Sequence, residues 1–332
     1  MKLVYSHQSA LELLRYRRSF GLEAVAPARL RTLEDCASSQ EEMSKFGVPE
    51  PLNRSEVVHV MVPSRERQFH SKTHICHVWR SDPLSGSFYE VGDRTYAATP
   101  ELLFVQMANQ LDLLDLVLLG MELCGTYTHL LVDKMRFVNC PAATTHDKLE
   151  AFAKRAKGMR GATTALRALR WVIDKSNSPG ETSLTLYLYL PVRLGGYGMP
   201  VPDMNPKTPL GKRASRFLGQ DDIRCDLHWP TQRVVLEYAS SQEHLKPSRA
   251  ARDAERSNTL GYKKLKLITA TPKMIARPPE CDAMVKQLAS ALGKRPSPDA
   301  FLLSKMRRDL RLRLFPWLEE PREPEYGMFD LP

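Results

Sequence analysis

Two carboxylates carry the clearest chemical signal in this chain: Asp226 and Glu237, inside the run "CDLHWPTQRVVLEYASSQEH" (225–244), which otherwise reads as a buried β-hairpin. If "RCDLHW" and "RVVLEY" are strands joined by a loop from Pro230 to Arg233, Trp229 pairs with Val234, and counting back sets Asp226 opposite Glu237. Directly opposed residues share a face of the sheet with Cβ atoms about 5 Å apart. Two ionised carboxylates that close repel unless a cation lies between them. Mg²⁺ or Mn²⁺ suits this pair, because hard cations prefer oxygen ligands, and Mg²⁺ often takes only one or two protein carboxylates and fills its shell from water and substrate phosphate. The pairing points to a metal site that positions and activates water on a phosphodiester. The same spacing also fits an edge hairpin whose acids pair with Arg224 or Arg233 on a solvated face.

The elements that must position these acids fit within 332 residues, long enough for two domains with hydrophobic cores; 42% apolar and 26% charged residues is ordinary globular composition. The formal charge of +10 favours an anionic partner, such as nucleic acid or an acidic membrane surface. Six cysteines without a CxxC pair read as reduced thiols of a cytoplasmic protein. "MKLVYSHQSALELLRYRR" lacks the apolar stretch of a signal peptide, and Asp112 and Asp115 interrupt the most apolar segment, so no membrane span is expected.

The expected fold class is α+β. Residues 1–140 form a mixed α/β domain, 145–278 a second domain with a mixed sheet flanked by helices, and 279–332 C-terminal helices and a tail. In the first, "SALELLRYRR" has a helical apolar face at Leu11 and Leu14 after a Ser9 cap, and "SEVVHVMVP" and "THICHVWR" are strand-like. Thr99 caps a helix with Pro100 at its first position and Glu101 complementing the dipole; a second helix follows Leu111 and stops at Gly125. In the second, a helical, basic stretch from 144 to 175 precedes a Ser-Pro helix start at Ser178, a loop rich in Gly and Pro, the hairpin, a polar helix ended by Gly261 and a strand around Leu265 and Leu267.

This order of elements and acids resembles the PD-(D/E)XK nuclease fold, and more closely the branch related to the very-short-patch repair (Vsr) endonucleases. The matching positions are Ser178, Pro179 and Glu181; Asp226; Glu237, Tyr238 and Ser240; His244; then Arg252, Asp253, Arg256, Asn258 and Leu260, with "LGYKKLKLIT" as the closing strand. The resemblance spans residues 163 to 269. It implies a restriction-endonuclease-like core in which Asp226 and Glu237 hold Mg²⁺ or Mn²⁺ and Glu181 assists. Residue 239 departs from the pattern: the general fold has Lys and this branch often Asp, whereas Ala239 can neither bind metal nor move a proton. His244 is the candidate replacement as general base, since imidazole accepts a proton near neutral pH. The expected activity is DNA endonuclease; the alternative is a DNA-binding regulator on a degenerate nuclease fold.

Upstream, "YSHQSALELLR" and "TPELLFVQMANQLDLLDLVLLGMELCGTY" resemble the AbiEi-type antitoxin-like proteins, families linked with DNA binding and with defence or toxin–antitoxin loci. Candidate phosphate contacts are Lys207, Lys212, Arg213 and Arg216 before the hairpin, Arg252 and Arg256 four apart on one helical face, and Lys263 and Lys264 in the closing strand. "KMRRDLRLR" around Arg307 reads either as a further backbone contact or as the polar face of a packing helix. "HSKTHICH" offers His70, His74, Cys76 and His77, but on a strand His77 faces away from His74 and Cys76 and no distant CxxC or HxxxH completes a zinc set, so a half-buried strand is expected.

Overall fold

The computed structural model describes residues 1–22, 26–79, 82–133, 135–209, 212, 215–216, 221–239, 265–295 and 301–318. Backbone packing divides the chain into two units, Met1–Pro179 and Gly180–Pro332. Both carry mixed sheets with helices, so the chain is α+β, as its sequence implies.

The first unit is built on five strands, β1 (Leu3–Tyr5), β2 (Val58–Val62), β3 (His74–Val78), β4 (Phe88–Gly92) and β5 (Thr95–Ala98), in the order β3-β2-β1-β5-β4. β1 is central, antiparallel to β2 and parallel to β5, and all three of its residues are buried. An uninterrupted apolar run is what a strand covered on both faces requires. Helix α1 (His7–Ser19) buries Leu11 and Leu14 as their spacing predicts. Its N-cap position is Ser6 rather than Ser9. Ser9 lies inside the helix, where its Oγ accepts the His59 N–H of β2 (2.8 Å), so a tertiary contact takes the hydroxyl that a cap would have used.

After the short α2 (Gln40–Ser44), α3 (Pro100–Met107) and α4 (Leu113–Cys124) stand where the sequence places them. Thr99 occupies the N-cap position of α3, but its Oγ1 donates to Gly86 O (2.7 Å) instead of capping. Asp112 caps α4 by accepting the Asp115 N–H, and Gly125 follows the last turn. A hairpin of β6 (Tyr127–His129) and β7 (Phe137–Asn139) comes next, then α5 (His146–Arg155) and α6 (Ala162–Leu169). The sequence assigns these last two helices to the second domain from residue 145; they instead pack on α3 and α4. The segment just after α6 also lies close to α4: a Cβ at Gly120 would be 2.5 Å from Val172 Cγ2.

One buried ion pair fastens these helices. Glu122 on α4 is 2% exposed and receives Arg15 of α1 through two parallel bonds, Nε to Oε1 (3.0 Å) and Nη2 to Oε2 (2.6 Å). Thr128 Oγ1 and the His129 N–H also donate to Oε1. Arg18, one turn on, donates to the carbonyls of Glu122, Gly125 and Pro141, satisfying the open C-terminal end of α4.

The second unit begins with α7 (Pro179–Tyr189), buried continuously from Glu181 to Leu188, as expected of a helix with no single polar face. Its main sheet contains β8 (Asp203–Met204), β11 (Leu227–Trp229), β12 (Val234–Tyr238) and β13 (Lys266–Ala270), with β9 (Lys207–Pro209) and β10 (Asp222–Arg224) forming a separate pair. The order is β13-β12-β11-β8: β8, β11 and β12 run antiparallel in turn, and β13 is parallel to β12. Helices α8 (Pro272–Ala276), α9 (Pro278–Ala291) and α10 (Phe301–Leu314) follow. On α10, Arg307 and Arg311 are buried: the Arg307 guanidinium stacks 4.5 Å from the Tyr197 ring centre, and Arg311 donates to the carbonyls of Ile275 and Ala276 at the end of α8. Of the two readings of "KMRRDLRLR", these two arginines serve the packing one. No helix among the described residues is long and apolar enough to cross a membrane.

Burial alone would raise the carboxyl pKa of Glu122, yet the Arg15 guanidinium and its hydrogen bonds hold it down, to about 2. A depressed carboxylate contributes stability above its unfolded pKa of about 4.3 and loses it as pH falls toward the folded value. The first unit should therefore lose stability between about pH 4 and pH 2, followed by urea denaturation at stepped pH. At neutral pH Glu122→Ala should cost about 3–5 kcal/mol, because it strands a buried guanidinium.

Candidate functional site

The hairpin forms in the register its sequence implies: Trp229 pairs with Val234, His228 with Val235 and Leu227 with Leu236. Leu227, Trp229 and Val234 to Leu236 are buried, so alternation on β11 and a continuous apolar run on β12 fix the pairing. The turn closes through the Arg233 N–H on Pro230 O, with Arg233 at φ 57°.

Regular pairing stops one residue short of the acids. Asp226 precedes β11, and its Oδ2 accepts the backbone N–H of Tyr238 (2.8 Å), the residue after Glu237. Glu237 is half-buried near the end of β12 and pairs across to Thr269 of β13. The two carboxylates thus belong to one end of the sheet, and Asp226 is anchored to the strand that carries its partner.

Glu181 is brought in by α7. It lies in the first turn of that helix, 9% exposed, and its Oε2 accepts Asn205 Nδ2 at 2.6 Å. The Asn205 backbone N–H donates to Asp226 O (2.9 Å), so one residue ties the helix acid to the strand acid. Gly180 permits the approach of α7 to β12, since a Cβ there would meet Tyr238 Cε1 at 2.3 Å. Asn205 adopts φ 48°, a left-handed conformation that asparagine tolerates better than most side chains. Asn205 is not among the residues the sequence singles out; its one signal is an Asn before Pro206 in a loop of turn-forming residues.

Ala239 continues the strand, its N–H donating to Ala270 O (2.9 Å), and places only a methyl group where the PD-(D/E)XK pattern has a polar side chain. Lys212 and Arg216 are exposed. Lys207 and Arg224 are directly paired across β9 and β10, two residues along the chain from Asn205 and Asp226 respectively. His244, Arg213, Arg252, Arg256, Lys263 and Lys264 lie outside the described residues.

In chemistry, the donors fit a hard cation: Glu181, Asp226 and Glu237 supply oxygen only, and a carboxylate oxygen that accepts one hydrogen bond keeps further acceptor capacity. Among the described residues, the group of three or more metal-ligating side chains whose ligand atoms all lie within 4.8 Å of one another is a different one, His7, His59 and His77 of the first unit. His70, His74 and Cys76 take no part in it. His59 Nδ1 and His77 Nε2 are 2.9 Å apart, and the His7 ring stacks on His77 with centres 3.6 Å apart. Burial, with the neighbouring rings, lowers the pKa of His7 to about 3 and of His77 to about 4; burial also lowers that of His59, against the pull of Glu12.

No protein-family model, curated protein or solved structure matches this chain.

Because Asn205 sits at φ 48°, its two roles can be separated. Asn205→Gly keeps the backbone and deletes the amide that holds Glu181, whereas Asn205→Ala deletes the amide and adds left-handed strain. The alanine variant should be less stable than the glycine variant by about 1 kcal/mol in chemical denaturation.

Proposed function

We propose that the second unit is a metal-dependent endonuclease-like module acting on DNA phosphodiesters, of the Vsr-related PD-(D/E)XK type. The observation that carries this reading is the Asn205 link: it joins an acid on a buried helix to an acid at a sheet end, beside Glu237 and two residues along the chain from the basic Lys207 and Arg224. The reading is supported by the placement of the acids on α7, before β11 and on β12, around a mixed sheet in which β13 is parallel to β12.

In this reading Asp226 and Glu237 hold Mg²⁺ or Mn²⁺, which when bound supplies positive charge at the scissile phosphate and lowers the pKa of a bound water. Glu181, held by Asn205, orients the carboxylate set from the helix side. Lys207, Lys212, Arg216 and Arg224 neutralise flanking phosphates, which makes affinity fall with salt. His244, assigned on sequence alone, would accept the proton from the attacking water.

Ala239 favours a second reading, a non-catalytic DNA-binding regulator or antitoxin-like protein that keeps the nuclease fold. A methyl group cannot orient water, and the Asp226 carboxylate already serves a structural bond to Tyr238.

Supercoiled plasmid incubated with the full chain and Mg²⁺ or Mn²⁺ separates the two. The nuclease reading expects nicking that EDTA stops and that Asp226→Ala and Glu237→Ala each reduce by roughly 100-fold or more. A folded wild-type protein that binds plasmid in a salt-dependent way but leaves it intact with either metal would sink the nuclease reading in favour of the regulator.

A further inference from the structure

His7, His59 and His77 come from three elements of the first unit and converge for identifiable reasons. β2 and β3 are parallel with Met61 paired to His77; His59, two residues before Met61, therefore shares the face of His77. α1 packs on β2 and brings His7 to that face from its first residue. His7 takes φ 47°, a left-handed conformation held by two contacts: its N–H donates to Gln106 Oε1 (3.1 Å), and its Nδ1 pairs with Ser6 Oγ (3.1 Å). Gln106 is itself buried and its Nε2 points to Met61 Sδ (3.6 Å), on the same face. An uncommon backbone conformation is thus spent on setting a third imidazole against the other two.

We propose that His7, His59 and His77 bind a divalent transition metal of the zinc class, with water or another small ligand in the remaining position. Imidazole nitrogen is the donor such ions favour and Mg²⁺ does not, which separates this site from the carboxylates of the second unit. Ser6 on Nδ1 of His7 leaves Nε2 as the ligating atom, the outer hydrogen bond that metal-bound histidines usually carry. A tetrahedral ion with Zn–N bonds of 2.0–2.1 Å needs nitrogens about 3.3 Å apart. The 2.9 Å His59–His77 separation must open by a few tenths, the widest separation, at most 4.8 Å, must close, and the near-parallel rings must tilt so that their lone pairs converge. Among the described residues no fourth His, Cys, Asp or Glu joins the group, the pattern of reactive rather than closed zinc sites. His59 also lines a cleft of about 930 Å³ with Glu12, Arg15 and Tyr16.

The test uses the full chain, stripped with a chelator and titrated with Co²⁺ under visible absorption. One equivalent should develop the intense ligand-field bands of a four- or five-coordinate nitrogen site, and Zn²⁺ should displace them. His59→Ala and His77→Ala should each weaken Co²⁺ binding by roughly tenfold or more, while His70→Ala, at an exposed histidine outside the group, leaves the bands unchanged. His59 is half-buried where His7 is buried, so its variant reports even if a His7 variant fails to fold. The absence of saturable bands in the wild-type chain, or bands of undiminished affinity in His59→Ala, would overturn the proposal.

Discussion

A carboxylate enclosed by protein stays ionised only if its surroundings replace the water it has lost, and the first unit is organised around doing this for Glu122. Arg15 supplies two charge-assisted bonds, Thr128 and the His129 N–H supply two more, and Arg18 closes the carbonyl of the same residue. These donors come from α1 and β6, while the acceptor sits on α4. Replacing the pair by apolar residues of similar volume could be neutral for stability, whereas removing one partner leaves a buried charge. What the pair joins is α1 and α4. The same helix α1 carries Ser9 against β2 and His7 against His59 and His77.

The second unit meets a related problem at smaller scale. A buried hairpin carries acids because they sit where its ladder ends and backbone groups need partners. Asp226 accepts the Tyr238 N–H through its side chain and the Asn205 N–H through its carbonyl, so it joins two segments that regular pairing does not. Such anchoring fixes a carboxylate in direction as well as place, which a metal ligand requires and a relic would also retain. The structural role of Asp226 and a chemical one are therefore compatible, and the choice between the two functional readings rests on position 239 and on whatever replaces its side chain.

Much of this fold is legible in the sequence because the signals are local. Apolar spacing places α1, α3 and α4, and the hairpin register comes from strand alternation around a four-residue loop. Capping is less legible: Ser9 and Thr99 have the right side chains, but their hydroxyls bond to His59 N–H and Gly86 O across the fold. The division between units is displaced for the same reason, since nothing local in α5 or α6 says that they pack on α3 and α4 rather than with the elements of the second unit. The candidate sites divide similarly. Glu181, Asp226 and Glu237 stand out as residue types at telling positions, while Asn205 and the histidine group depend on contacts between segments far apart in sequence. Within "HSKTHICH" the histidines and the cysteine form no set of their own; His77 alone joins a group, and its partners His59 and His7 come from β2 and α1.

Backbone strain is distributed by the same logic in each unit. Among the described residues, five other than glycine have positive φ: His7, Arg94, Lys175, Asn205 and Arg233. Arg94 and Arg233 lie in the turns that lead into β5 and β12, where a tight reversal imposes the conformation. Lys175 is held by its N–H on Cys124 O, in the connection after α6. His7 and Asn205 have no hairpin to account for them. Each instead has a side chain or backbone group fixed by specific partners, Gln106 and Ser6 for one, Glu181 and Asp226 for the other. Left-handed geometry costs a side-chain-bearing residue of order 1–3 kcal/mol and persists only where the surroundings over-determine it. At His7 and Asn205 that cost falls on a residue that sets a polar group against its neighbours, whereas at Arg94, Lys175 and Arg233 it falls in turns and a connection.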